Sequence, residues 1–157
     1  MAAPDITAPV YIEADRVDIY EREQKSVYSG NVVLTHGAIR MSADEVTVYA
    51  REKQLSKVEA QGNPVQYHQE PPGKPVTKAS ARQMVYTVED GKLVMSGEAL
   101  LQQDDNEFRG NRIVFDTRTE MVSAAKGEQE QGRVRVILHP EDKTKAGRES
   151  LPTRDQP

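Results

Sequence analysis

Cysteine and tryptophan are absent from the chain, and phenylalanine occurs only twice in its 157 residues. Without cysteine there are no disulfides, no thiolate metal sites and no cysteine nucleophile. No run of about 18 apolar residues is present, so no helix of this chain spans a membrane, and no secretory apolar region is seen. Scarce aromatics beside ten Gly and nine Pro argue against a helical bundle. An excess of positive charge is missing too: 21 Lys and Arg against 25 Asp and Glu give net −4. A nucleic-acid binder would carry a basic footprint. Hydrophobic residues make up 36% and the mean hydropathy is −0.72. Values this low would mean disorder if the apolar residues were scattered.

They are not scattered; they alternate. Val10, Ile12 and Ala14 are spaced by two, as are Val32 and Leu34, Ile39 and Met41, Val46 and Val48. The pattern continues through Met84, Tyr86 and Val88, Leu93 and Met95, Ile113 and Phe115, and Val134, Val136 and Leu138. Period two marks strands with one buried face. Turn signals separate the runs: Thr35-His36-Gly37, Gly62-Asn63-Pro64, Pro71-Pro72-Gly73, Asp90-Gly91 and Asp104-Asp105-Asn106. Asp90-Gly91 reads as a two-residue type I′ hairpin. The expectation is an all-β chain of roughly 14 to 16 antiparallel strands.

A repeat sharpens this. Sliding the chain by 67 residues lays Ala14 on Ala81, Lys25 on Lys92, Val27 on Val94, Ser29-Gly30 on Ser96-Gly97, Leu34 on Leu101 and Arg51 on Arg118. Copies of one strand–corner–strand unit cannot bury their apolar faces alone, so they must stack. The step Ala14-Asp15-Arg16-Val17, echoed by Ala43-Asp44-Glu45-Val46, breaks the alternation by one residue and predicts a corner that re-aims the strand.

Catalytic signals are weak. His36, His68 and His139 have no metal-ligand spacing and read as exposed loop histidines. Asp104-Asp105-Asn106-Glu107 lacks the glycine and distant carboxylate of a calcium loop and reads as a turn. No GxSxG, P-loop or GxGxxG is present. A polysaccharide-active enzyme would need clustered carboxylates; Asp15, Asp18 and Asp44 are candidates, although solvated strand faces are acidic anyway. No catalytic residue, metal or cofactor is expected. Residues 10–14 and 133–138 read as strands at the two ends of the ladder, either blunted in the monomer or open for another strand to add. Residues 139–157 hold Leu151 as their one large apolar residue and are expected to be a disordered tail.

The segments Pro9-Val10-Tyr11-Ile12-Glu13-Ala14-Asp15, Ser29-Gly30-Asn31-Val32-Val33-Leu34-Thr35-His36-Gly37, Ala43-Asp44-Glu45-Val46 and Gly62-Asn63-Pro64-Val65 resemble the OstA-like LptA family. So do Ser96-Gly97-Glu98-Ala99-Leu100-Leu101-Gln102-Gln103 and Gly110-Asn111-Arg112-Ile113, and the likeness spans about 5–138 as one domain. The resemblance implies a twisted, partly open β-jellyroll without catalytic activity, located in the periplasm of Gram-negative bacteria. It implies lipopolysaccharide as ligand, and head-to-tail stacking with itself between an LptC-like inner-membrane partner and an LptD-like outer-membrane partner. The loop after Arg51 is shorter than the family pattern. With the repeat setting which side chains point inward, the expected lipid-binding trough comprises Val10, Ile12, Val32, Leu34, Ile39, Met41, Val65, Tyr67, Met84, Tyr86, Leu93, Met95, Leu101, Phe108, Ile113 and Phe115. Val10, Tyr11 and Ile12 at one end, and Val134, Val136 and Leu138 at the other, are the expected assembly edges. The alternatives are a structural β-scaffold or filament subunit without lipid cargo, and the glycan-active enzyme above.

Overall fold

The computed structural model describes residues 8–126 and 133–140. Ten strands among these residues form one open antiparallel sheet: β1 (Val10–Glu13), β2 (Arg16–Tyr20), β3 (Lys25–His36), β4 (Ile39–Arg51), β5 (Gln54–Gln69), β6 (Thr77–Thr87), β7 (Lys92–Gln103), β8 (Asn106–Asp116), β9 (Met121–Ala125) and β10 (Arg135–Ile137). The order is β1-β3-β4-β5-β6-β7-β8-β10, with β2 also on β3 and β9 also on β8.

Six of these strands are long because each bends once and serves two layers. Besides one between Tyr49 and Ala50 beside the β4–β5 turn, the register shifts fall between Ser29 and Val32, Ser42 and Glu45, Gln61 and Val65, Ser80 and Gln83, and Ser96 and Ala99. They line up across the sheet, so the whole ladder folds along one line. Residues 32–36, 39–43, 65–69, 77–81, 99–103 and 106–110, with β1 and β10, make the first layer. The other halves, with β2 and β9, make the second. Counting each bent strand twice accounts for the 14 to 16 short strands read from the turn signals.

The repeat is visible in the backbone. Gly30 and Asn31 have φ of 85° and 48°; 67 residues on, Gly97 and Glu98 have 83° and 50°. Opposite each lies the break in alternation. The Asp15 backbone N–H donates to the Gly30 carbonyl at 2.9 Å, the Asn31 side chain donates to Asp15, and Arg82 pairs with Glu98. Left-handed residues at these corners are what a bulge with strong twist requires.

Several expectations change. Gly62-Asn63-Pro64, read as a turn between strands, lies at the bend inside β5, and His68, read as a loop histidine, lies in the same strand. Between β6 and β7, Thr87 pairs with Lys92, which leaves a four-residue loop rather than a two-residue hairpin. Only Gly91 of the Asp90-Gly91 pair has positive φ, and its N–H reaches the Thr87 carbonyl at 2.9 Å. Thr117 holds this loop from the next hairpin, its hydroxyl donating to the Gly91 carbonyl at 2.7 Å. His36 is no loop histidine: it ends β3 and is 7% exposed. The C-terminal strand is shorter than 133–138, covering Arg135–Ile137 only, because just those residues pair with β8. Residues 141–157, most of the expected tail, lie outside the described residues.

Candidate functional site

The two layers face each other across a shared apolar interior, and the cross-strand register sorts that interior into rows. In the first layer Ile12, Leu34, Met41, Tyr67, Ala79, Leu101, Phe108 and Val136 are successive partners across all eight strands. In the second, one row runs Val17, Tyr28, Val46, Ala60, Met84, Met95, Ile113 and Ala124. A parallel one runs Ile19, Ser26, Val48, Val58, Tyr86, Leu93, Phe115 and Val122. Side chains two apart share a face, so each row is one stripe along the molecule.

All sixteen residues expected in the trough point into this interior. Twelve are buried: Val32, Leu34, Ile39, Met41, Val65, Tyr67, Met84, Leu93, Met95, Leu101, Ile113 and Phe115. Ile12, Tyr86 and Phe108 pack against them half-buried, and Val10 is exposed. The centre is filled, with Val65, Met95, Leu101, Ile113 and Phe115 at 0% exposure. The ends are not. Val17 and Ile19 stand 48% and 67% exposed at one end of the second-layer rows, and Val136 45% at the far end of the first.

A cavity of about 60 Å³ opens where the layers part, away from the corner line. Leu34, Ile39, Met41 and Tyr67 line it from the first layer, and Leu55, Val58, Met84 and Leu93 from the second. His36, Tyr86 and Thr117 add polar atoms. Burial pushes the Tyr67 hydroxyl well above the usual phenol range, with Tyr86 nearby adding to it; burial raises Tyr86 as well. Tyr67 donates to Gln69 at 3.4 Å. Among the described residues two buried atoms, His36 Nε2 and Thr77 Oγ1, have no hydrogen-bond partner, an arrangement that costs about 1–3 kcal/mol per group.

The expected trough left out Val46, although its alternation with Val48 had marked it for burial, and sequence reasoning missed Val58 and the small inward Ala43, Ala60, Ala79, Ala81 and Ala99. Val58 and Ala60 did carry the period-two signal. Buried His36, Gln69, Thr77 and Thr117 carried none. The carboxylates weighed for catalysis have structural partners or face water. Arg16 hydrogen-bonds Asp18 at 2.8 Å and holds it below the usual carboxylate range. Asp15 braces a corner, and Asp44 is exposed at another. His68 pairs with Glu70 at 3.2 Å on the outer face, and His139 is exposed. Among the described residues no group of three His, Cys, Asp or Glu is placed to hold a metal ion.

The assembly residues lie at the two ends of the sheet. Val10, Tyr11 and Ile12 are in β1, and Val136 is in β10; Val134 and Leu138 flank that strand. Among the described residues β1 pairs only with β3, and β10 only with β8.

Known proteins share this arrangement. The LptH lipopolysaccharide export system protein of Pseudomonas aeruginosa is 30% identical over 146 residues, covering 88% of this chain and 83% of its own. The LptA export protein of Escherichia coli K12 is 30% identical over 149 residues, covering 91% and 79%. The crystal structure of P. aeruginosa LptH, described as the LptA-homologous periplasmic component of the lipopolysaccharide transport device, superposes with a TM-score of 0.81 at 30% identity. That match covers 87% of this chain and 99% of LptH. The profile of the LptA/(LptD N-terminal domain) LPS transport proteins matches residues 11–121, and the chain belongs to that family.

Proposed function

We propose that this protein carries lipopolysaccharide through the periplasm, holding its acyl chains between the two layers. The observation that supports this best is that the three inward rows described above are apolar save for Ser26 and reach solvent at opposite ends of the molecule, at Ile19 in one layer and Val136 in the other. A closed core would cover those ends. Each buried CH₂ contributes roughly 0.8 kcal/mol, so a few chain segments outweigh the exposure they replace. Val65, Met95, Leu101, Ile113 and Phe115 fill the centre at 0% exposure, so loading an acyl chain there requires the layers to part along their open side.

Copies join head to tail, the β10 edge of one adding to the β1 edge of the next. The two edges are different surfaces, so the contact does not close on itself and builds open rods. An LptC-like protein at the inner membrane and an LptD-like protein at the outer membrane cap the rod. A filament without cargo is the second reading, and the filled centre favours it. Photo-crosslinkers at Leu34, Met41, Met84 and Leu93 separate the two. They should capture lipopolysaccharide, whereas crosslinkers at Glu13, Arg16 and Thr47 should not; equal labelling of both sets defeats the trough.

A further inference from the structure

The last inward row of the first layer, on the open side, is polar at four of its six positions where the row beneath it is apolar. Register places Val10, His36, Ile39, Gln69, Thr77 and Gln103 side by side. His36 is 7% exposed, Gln69 2% and Thr77 0%. Tyr67 bonds Gln69, but among the described residues His36 Nε2 and Thr77 Oγ1 are left without a partner. Buried polar groups are nearly always hydrogen-bonded, so two orphans on one row leave hydrogen-bonding capacity that a bound molecule can use. They stand three strand spacings apart, about 14 Å, and His36 borders the cavity between the layers.

An alkyl chain has nothing to offer these atoms. The place where a chain joins a sugar does, because ester and amide carbonyls accept and hydroxyls both donate and accept. The imidazole Nε2 donates in one tautomer and accepts in the other, and the threonine hydroxyl does both. We propose that His36 and Thr77 hydrogen-bond the ester, amide and hydroxyl groups of a multiply acylated glycolipid, and so fix how deep its chains sit. This rests on the lipid-trough reading above. Two orphans spread across four strands suit a headgroup bearing several chains better than a single-chain amphiphile.

The test compares wild type with His36→Leu, Thr77→Val, the double variant and His36→Gln. Two probes are titrated: purified lipopolysaccharide, and phenylnaphthylamine, a fluorescent hydrocarbon without such linkages. Each apolar variant should bind lipopolysaccharide about tenfold more weakly, the worth of roughly one hydrogen bond. It should bind the hydrocarbon unchanged and melt no lower than wild type, since an orphan has been removed. His36→Gln should retain lipopolysaccharide binding. Equal lipopolysaccharide affinity in all five proteins overturns the row and leaves the trough standing. Loss of both probes with a lowered melting temperature assigns the row a structural role and also overturns it. Failure of wild type to bind either probe removes the trough itself and the row with it.

Discussion

Replacing Gly97 with alanine puts a methyl group where the corner of β7 has no room for one. Gly97 has φ +83°, and an added Cβ would lie 2.9 Å from the Cβ of Arg82. The backbone conformation costs an L residue about 1–2 kcal/mol. The contact is with the stem of Arg82, which the paired β6 holds in place, and overpacking of this kind costs about 1–3 kcal/mol. The two together come to roughly 3 kcal/mol, or about 6–12 °C of melting temperature for a chain of this size. Two controls separate the causes. Gly73 has φ +71° with nothing within 4 Å of an added Cβ, so Gly73→Ala carries the backbone cost alone, about 3–6 °C. Gly110 has no positive φ and its nearest neighbour would be 3.4 Å away. Glycine inside a strand is itself weaker than alanine by roughly 0.5–1 kcal/mol, so Gly110→Ala should melt about 1–4 °C above wild type. Gly30→Ala, at φ +85° with its Cβ 2.8 Å from that of Asp15, should match Gly97→Ala. Circular-dichroism melting of the four variants decides the matter. If Gly97→Ala melts with Gly110→Ala, the folded corner described above is wrong.

A carboxylate at Leu101, which is 0% exposed in the middle of its row, should cost several kcal/mol as an unpaired buried charge. Leu101→Asp is expected to unfold the chain or abolish lipopolysaccharide binding, with Thr47→Lys on the outer face near wild type; a folded, binding Leu101→Asp contradicts the row. Removing 133–157 should leave a folded monomer that binds lipid but does not extend, and removing 141–157 should change little. Light scattering over a concentration series checks this, and undiminished association of the shorter chain means that β10 is not the docking edge. Because burial raises the Tyr67 hydroxyl above its ordinary value of 10.0, the unfolded chain loses that proton first as pH rises, so stability falls above about pH 10. Tyr67→Phe should flatten that alkaline limb in melting curves, and an unchanged limb rules out Tyr67 as its source.

Much of this fold was legible in the sequence because a strand flips its side chains at every residue. Any alternation that survives ten positions therefore fixes a face, and any break of one residue marks where the face changes. Ala14-Asp15 and Ala43-Asp44 were such breaks, and both are corners. The shift of 67 residues carried the same information twice, so Gly30 and Gly97 mark equivalent bends. Where the reading failed, the deciding contact came from elsewhere in the chain. Asp90-Gly91 has the composition of a tight hairpin, yet the Gly91 carbonyl is held by Thr117, 26 residues away, and the loop that satisfies this bond is longer.

The site was legible in its apolar part only. An inward leucine announces itself by contrast with the polar residues beside it, and sixteen positions could be placed that way. At the open rim the contrast vanishes, since the last inward position of a strand adjoins a turn that is polar for its own reasons. His36 precedes Gly37, Gln69 precedes Glu70-Pro71, Thr77 follows Pro75-Val76, and Gln103 precedes Asp104. Each looks like turn chemistry when taken alone. Only the register across β3, β4, β5, β6 and β7 brings them into one row, and only their burial sets that row apart from the loops it touches. Under the proposed lipid-trough reading, residues that choose between one lipid and another belong at this rim, where an apolar stripe ends and polar linkages begin. On that reading, the positions that set ligand specificity are the ones a periodicity argument is least able to see.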